Sequence, residues 1–111
     1  MKNILLAVAA ALTVAACAQK PDAIAPAYVT PTIYDSFSCK QLGEEHKRLN
    51  QAYMQAAGQQ NQARKNDIAG VILIGLPVSS LSGGNVAPQI ANLKGQQDAV
   101  RTTMIKKNCS K

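Results

Sequence analysis

Hydrophobic positions recur at alternating steps of three and four through the middle of the chain, the spacing of a helix face that packs against one neighbour. The residues on this face are Cys39, Leu42, His46, Leu49, Tyr53, Ala56, Gln60 and Ala63. Ser38 and Gln41 match a capping box at its start. Phe37 and Leu42 stand at the positions of a hydrophobic staple. The pattern predicts a helix over about 39–75.

The same spacing returns near the end of the chain and predicts a second helix over about 86–108. The residues on this face are Ile90, Leu93, Gln97, Val100 and Met104, and all but Gln97 are apolar. Asn85 is a suitable N-cap, and Pro88 in the first turn loses no helical hydrogen bond. Pro77 and the Gly83-Gly84 pair interrupt the chain between the two helices. Residues 76–85 are therefore predicted to form a loop.

Two helices joined by such a loop run antiparallel, so the fold class expected is all-α, with residues 38–111 forming a helical hairpin. Cys39 would then lie beside Cys109. A disulfide between them closes a loop of about 70 residues and contributes about 4 kcal/mol in the chain-entropy model. The alternative is that one of the two cysteines bonds a partner chain.

The run 68–82 is unusual because its core has no polar alternation. The seven residues that we call the apolar tip are Val71, Ile72, Leu73, Ile74, Leu76, Val78 and Leu81. The second helix matches the first only to about Ala63 in length, which leaves 64–85 without a helical neighbour. The apolar tip must fold back, contact another molecule or enter a membrane. A β-hairpin through 71–74 is the alternative secondary structure.

The N-terminus has the parts of a bacterial secretion signal: Lys2, a short apolar run over residues 4–12, and small residues that lead to a cysteine. The run is too short to span a bilayer, which takes roughly 20 apolar residues. The sequence Val14-Ala15-Ala16-Cys17 resembles the lipobox of bacterial lipoproteins. The alternative is an ordinary secretory signal that leaves Cys17 as a thiol.

The resemblance implies that residues 1–16 are removed and that Cys17 is acylated, which would anchor the chain to a membrane through lipid. The location expected is the bacterial cell envelope, facing the periplasm. Ala18 favours the outer membrane, because lipoproteins of this class kept at the inner membrane often carry Asp there. Pro21, Pro26 and Pro31 recur through the next segment. Residues 17–37 are therefore expected to form a disordered, Pro-containing tether.

No constellation of residues points to catalysis, a metal site or a cofactor. His46 is the only histidine, and its neighbours Glu44 and Glu45 point in other directions on a helix. Cys39 and Cys109 are too far apart in sequence for metal-ligand spacing. The net charge is +6, and removal of Lys2 with the signal leaves +5. This charge is explained first by simple solubility, and the alternative is a mild preference for anionic surfaces. Nucleic acid is not an expected partner of an exported, anchored chain.

The function expected is that of a small envelope lipoprotein with a structural, assembly or protein-interaction role, and not that of an enzyme. Its partners would be the membrane, through the lipid, and a protein or a second copy, through the apolar tip. The alternative function is a membrane-active lipoprotein whose apolar tip inserts into a bilayer.

Overall fold

The computed structural model describes residues 3–5 and 17–109. The rest of the predicted signal peptide, including Val14-Ala15-Ala16, and residues 110–111 lie outside this part. Within it, all regular structure is helical, which confirms the predicted all-α class. The elements after Cys17 are two short 3-10 helices, Pro21–Ala23 and Pro31–Tyr34, followed by α1 at Cys39–Ile74, α2 at Val78–Leu81 and α3 at Ala87–Lys106.

Helix α1 begins and ends at residues that stabilise its termini. Ser38 accepts a hydrogen bond from the Gln41 amide and the Gln41 side chain accepts one from the Ser38 amide, so the capping box is present. At the other end Gly75 adopts a left-handed conformation with φ of 76°, which its missing Cβ permits. Residues 71–74 belong to this helix, not to a β-hairpin.

A disulfide joins Cys39, the first residue of α1, to Cys109, just beyond the end of α3, with 5.4 Å between the Cα atoms. The predicted intramolecular bridge is therefore present. Other contacts between the helices follow the same reversed order. The Gln97 side chain donates to the Asn50 side chain at 2.9 Å. The Val86 amide donates to the Gln60 side chain at 2.7 Å, level with the start of α3.

The hydrophobic core lies between α1 and α3 and extends to the N-terminal segment. Its buried members are Ile24, Tyr34, Leu42, Leu49, Ala56, Ile90, Leu93, Ala99 and Val100. Most lie on the two helix faces that the spacing predicts. Ile24 and Tyr34 come from the segment predicted to be a tether. The molecule measures 61 × 25 × 20 Å, so it is an elongated rod.

The N-terminal segment, residues 18–37, differs from the predicted disordered tether because it packs along the rod. The Ala27 amide donates to the Ala91 carbonyl at 2.9 Å. Lys94 donates to the carbonyls of Pro21 and Ile24, both at 2.6 Å. Lys107 donates to two further carbonyls near the disulfide. The segment thus forms a third layer that follows α3 toward the disulfide.

Gly95 on α3 is what allows the N-terminal segment to approach so closely. A Cβ at this position would lie 2.1 Å from the carbonyl oxygen of Ala27 and 2.9 Å from a methyl carbon of Val29. Only a residue without a side chain fits against this backbone. The prediction of a tether is wrong because three regularly spaced prolines suggest an extended chain, while the buried apolar residues Ile24 and Tyr34 are too widely spaced to form a recognisable pattern.

Candidate functional site

The far end of α1 extends past its helical neighbour. Since Gln60 is level with Val86 and α3 begins at Ala87, the residues of α1 from 61 to 74 lie beyond α3. These 14 residues correspond to an overhang of roughly 21 Å. Helix α2 and the residues next to Cys17 pack on the overhang, which places the apolar tip at one end of the rod.

Most of the apolar tip is exposed in the structure. Ile72, Leu73 and Leu81 are 75%, 80% and 69% exposed, and Ile74, Leu76 and Val78 are also exposed. Val71 is half-buried. A groove of about 370 Å³ between α1 and α2 runs through the tip and is lined in part by Leu73, Ile74 and Val78. Exposed apolar residues grouped in this way form a candidate contact surface.

The largest buried side chains beneath the apolar tip are polar. Asp67 on α1 is fully buried. Its carboxylate accepts hydrogen bonds from the Ala18 amide and the Ser80 amide, both at 2.8 Å, and from the Ser80 hydroxyl. Asp67 therefore connects three parts of the chain: the residue after Cys17, α1 and α2. Gly70 permits the loop to pass close by, because a Cβ there would lie 2.3 Å from the Leu76 carbonyl oxygen.

The pKa of Asp67 follows from this environment. Burial raises the pKa, but hydrogen bonds from the Ser80 side chain and from the amides of Ser80, Ala18 and Ser79 outweigh it. The net result is a pKa below its ordinary value of 3.8. Asp67 is thus a structural carboxylate that stays charged at neutral pH, with its charge met by donors on both neighbouring segments.

A second polar residue, Gln60, holds the junction where the overhang begins. It is fully buried, and it accepts from the Val86 amide. Its amide nitrogen donates to the Gln19 carbonyl and to the Asn85 side chain, both at 3.0 Å. Sequence spacing places Gln60 on the buried face but does not reveal these partners. Asp67 had no signal beyond an isolated acid before an apolar run.

Cys17 lies at the same end of the rod as the apolar tip. It lines a groove of about 310 Å³ together with Ala18, Arg64, Ile68, Val71 and Ile72. The sequence predicts a disordered tether between Cys17 and the helices. In the structure the residue after Cys17 is bound directly to α1 through Asp67.

The histidine of α1 and its neighbour Glu45 make local contacts. His46 is exposed and hydrogen-bonds to Asn50, one turn along α1. Glu45 pairs instead with Arg48. Residues 3–5 and 17–109 contain no group of three or more His, Cys, Asp or Glu residues arranged to hold a metal ion.

No helix in the described part of the chain combines the length and the apolar composition needed to cross a membrane. Comparison with known proteins adds no relative: no family model matches the chain, and neither a curated protein nor a solved structure matches it significantly.

Proposed function

We propose that this chain is a small lipoprotein of the bacterial envelope with a structural or assembly role. Acyl chains on Cys17 hold it to a membrane, most consistently the outer one, and the body is an antiparallel helical hairpin that works through contacts of its apolar tip. The observation that carries the proposal is the exposure of that tip, with Leu73 80% exposed at the end of an overhang that α3 does not reach.

The disulfide and the packed third layer of the body support a structural role. The disulfide joins the two chain ends of the hairpin, and the third layer packs along α3. A rod of this kind presents its end in a defined orientation.

The anchor is tested by expressing the full chain in a Gram-negative host supplied with an alkyne-labelled palmitate. We expect the label and the corresponding acyl mass on the peptide that begins at Cys17. The matched control is Cys17→Ser, which should carry no label. An unacylated N-terminus at Cys17, or a mature chain cut elsewhere, contradicts the proposal.

The interaction role is tested by placing a photo-crosslinking residue at Leu73 in cells and comparing it with the same residue at Met54, which is 72% exposed on the body of α1. We expect adducts to a protein, a second copy or lipid at position 73 and few at 54. Equal adduct formation at both positions contradicts a role for the tip.

A second candidate is a membrane-active lipoprotein, favoured by the run of residues 68–93, which contains no charged side chain or histidine. The test is dye release from phospholipid vesicles that contain the purified, acylated protein. Release above that of empty vesicles supports bilayer perturbation, and intact vesicles exclude it in favour of the structural role.

A further inference from the structure

The position of Cys17 indicates which molecule contacts the apolar tip. Its groove includes Val71 and Ile72, which belong to the tip. The Ala18 amide is fixed to Asp67 at 2.8 Å, so there is no free chain between the cysteine and the folded body. Acyl chains on Cys17, as in the proposed function on which this inference rests, would leave the protein from that groove. The lipid leaflet that holds these acyl chains therefore lies next to the apolar tip.

The charge distribution around the tip matches a lipid surface. Residues 68–93 carry no charge, and the single acid nearby, Asp67, is buried and hydrogen-bonded on several sides. The nearest cationic groups on α1 are Arg64 and Lys65, about two turns behind the tip. Cations at that height are suited to lipid phosphates when an apolar face is buried beyond them.

The dimensions favour shallow burial over crossing. The end of α1 from 68 to 74 is about 10 Å long at 1.5 Å per residue. Amphipathic elements that lie in the interface bury their apolar side by roughly 5–10 Å. The hydrocarbon core is about 30 Å thick. The apolar tip thus fits the headgroup–acyl boundary of one leaflet.

The polar interior of this end points the same way. Asp67 and Gln60 are fully buried while Ile72 and Leu73 are exposed, so the largest buried side chains at this end are polar and its large apolar side chains lie outside. We infer that the apolar tip is buried in the interface of the lipid leaflet that holds the acyl chains of Cys17. The rod then stands out of the membrane, with the Cys39–Cys109 disulfide farthest from it.

The chain lacks tryptophan, so a single substitution reports on the tip. Full-length acylated protein carrying Leu73→Trp is purified and reconstituted in vesicles of phosphatidylethanolamine and phosphatidylglycerol. The matched control is Met54→Trp, at a position about 28 Å back along α1. We expect the emission of Leu73→Trp to shift to the blue. It should lose most of its intensity when the acyl chains of the vesicle phospholipids carry bromine. Met54→Trp should change in neither respect.

The intact mass of each preparation separates this inference from the proposed function. Acylated protein whose Leu73→Trp emission stays water-like and unquenched overturns the inference and leaves the anchor intact. The same holds if photo-crosslinks from position 73 in cells go to a protein or to a second copy. Unacylated protein whose Leu73→Trp is quenched by added vesicles contradicts the anchor, while the lipid contact of the tip stands.

Discussion

The two ends of α1 bury different kinds of side chain. Near the disulfide, Leu42 and Leu49 are fully buried between α3 and the N-terminal segment. At the other end, Gln60 and Asp67 are fully buried and Leu73 is largely exposed. The largest side chains that this helix buries are therefore leucines near the disulfide and polar residues toward the tip, where the small Ala63 is buried beside them. Buried leucines suit an end that is surrounded by water. An exposed leucine above buried polar side chains suits an end that contacts something other than water.

Among the tests that compare the two ends of α1, removal of the disulfide should change the free energy of unfolding most. In Cys39→Ser with Cys109→Ser, we expect a loss of about 4 kcal/mol in the free energy of unfolding, because the unfolded chain regains the freedom of a loop of about 70 residues. Urea denaturation measures it, and the unsubstituted protein with reductant should lose the same amount. A loss below about 1 kcal/mol would show that packing alone holds this end.

Truncating one leucine at each end gives the most direct comparison. Leu49→Ala opens a cavity in the core and should cost about 3 kcal/mol. Leu73→Ala removes an exposed side chain and should change the free energy of unfolding by less than about 0.5 kcal/mol in detergent-free buffer. Both are measured by urea denaturation. A cost above about 1 kcal/mol for Leu73→Ala would mean that the tip packs on the protein itself.

The third layer can be removed through Gly95. In Gly95→Ala the new methyl group collides with the Ala27 carbonyl, and we expect a cost of about 1–3 kcal/mol. Hydrogen exchange should show faster loss of protection at the Ala27 amide, whose bond to Ala91 depends on the close approach. The matched control is Gly58→Ala on α1, where nothing lies within 4 Å of the added carbon. There alanine should stabilise the helix by up to about 1 kcal/mol.

Acid should loosen the tip through Asp67. Because its pKa is lower in the folded state, its contribution is complete above the ordinary value of 3.8 and is lost as the pH falls through the lower folded value. Asp67→Asn should remove this pH dependence and cost about 1–2 kcal/mol, since buried donors on Ala18 and Ser80 lose their charged acceptor. Hydrogen exchange at those two amides, followed below pH 4, checks it. Unchanged protection there contradicts the assignment.

The parts of the fold that follow from local rules were predictable. The cap at Ser38, the helix spacing and the even pair of cysteines predict α1, α3 and the disulfide, and the predicted 39–75 compares with Cys39–Ile74. These features need no knowledge of distant contacts. The exposed apolar tip followed from comparing the two helix lengths.

The parts that depend on long-range backbone contacts were not predictable. The N-terminal segment packs through carbonyl oxygens that accept from Lys94 and Lys107, and every residue has a carbonyl. Gly95 was the one local signal, since glycine inside a helix lowers its stability unless something needs the space. The role of Asp67 likewise rests on backbone amides of Ala18 and Ser80, which no residue pattern reports.

The bond between Asp67 and the Ala18 amide limits how far the protein can act. A lipoprotein with a long flexible linker can move through a volume set by the length of that linker. Here the residues after Cys17 are packed onto the folded body instead. With Cys17 acylated as proposed, the longest dimension of 61 Å is an upper limit on the reach from the bilayer. Any periplasmic component that meets the disulfide end must come within that height.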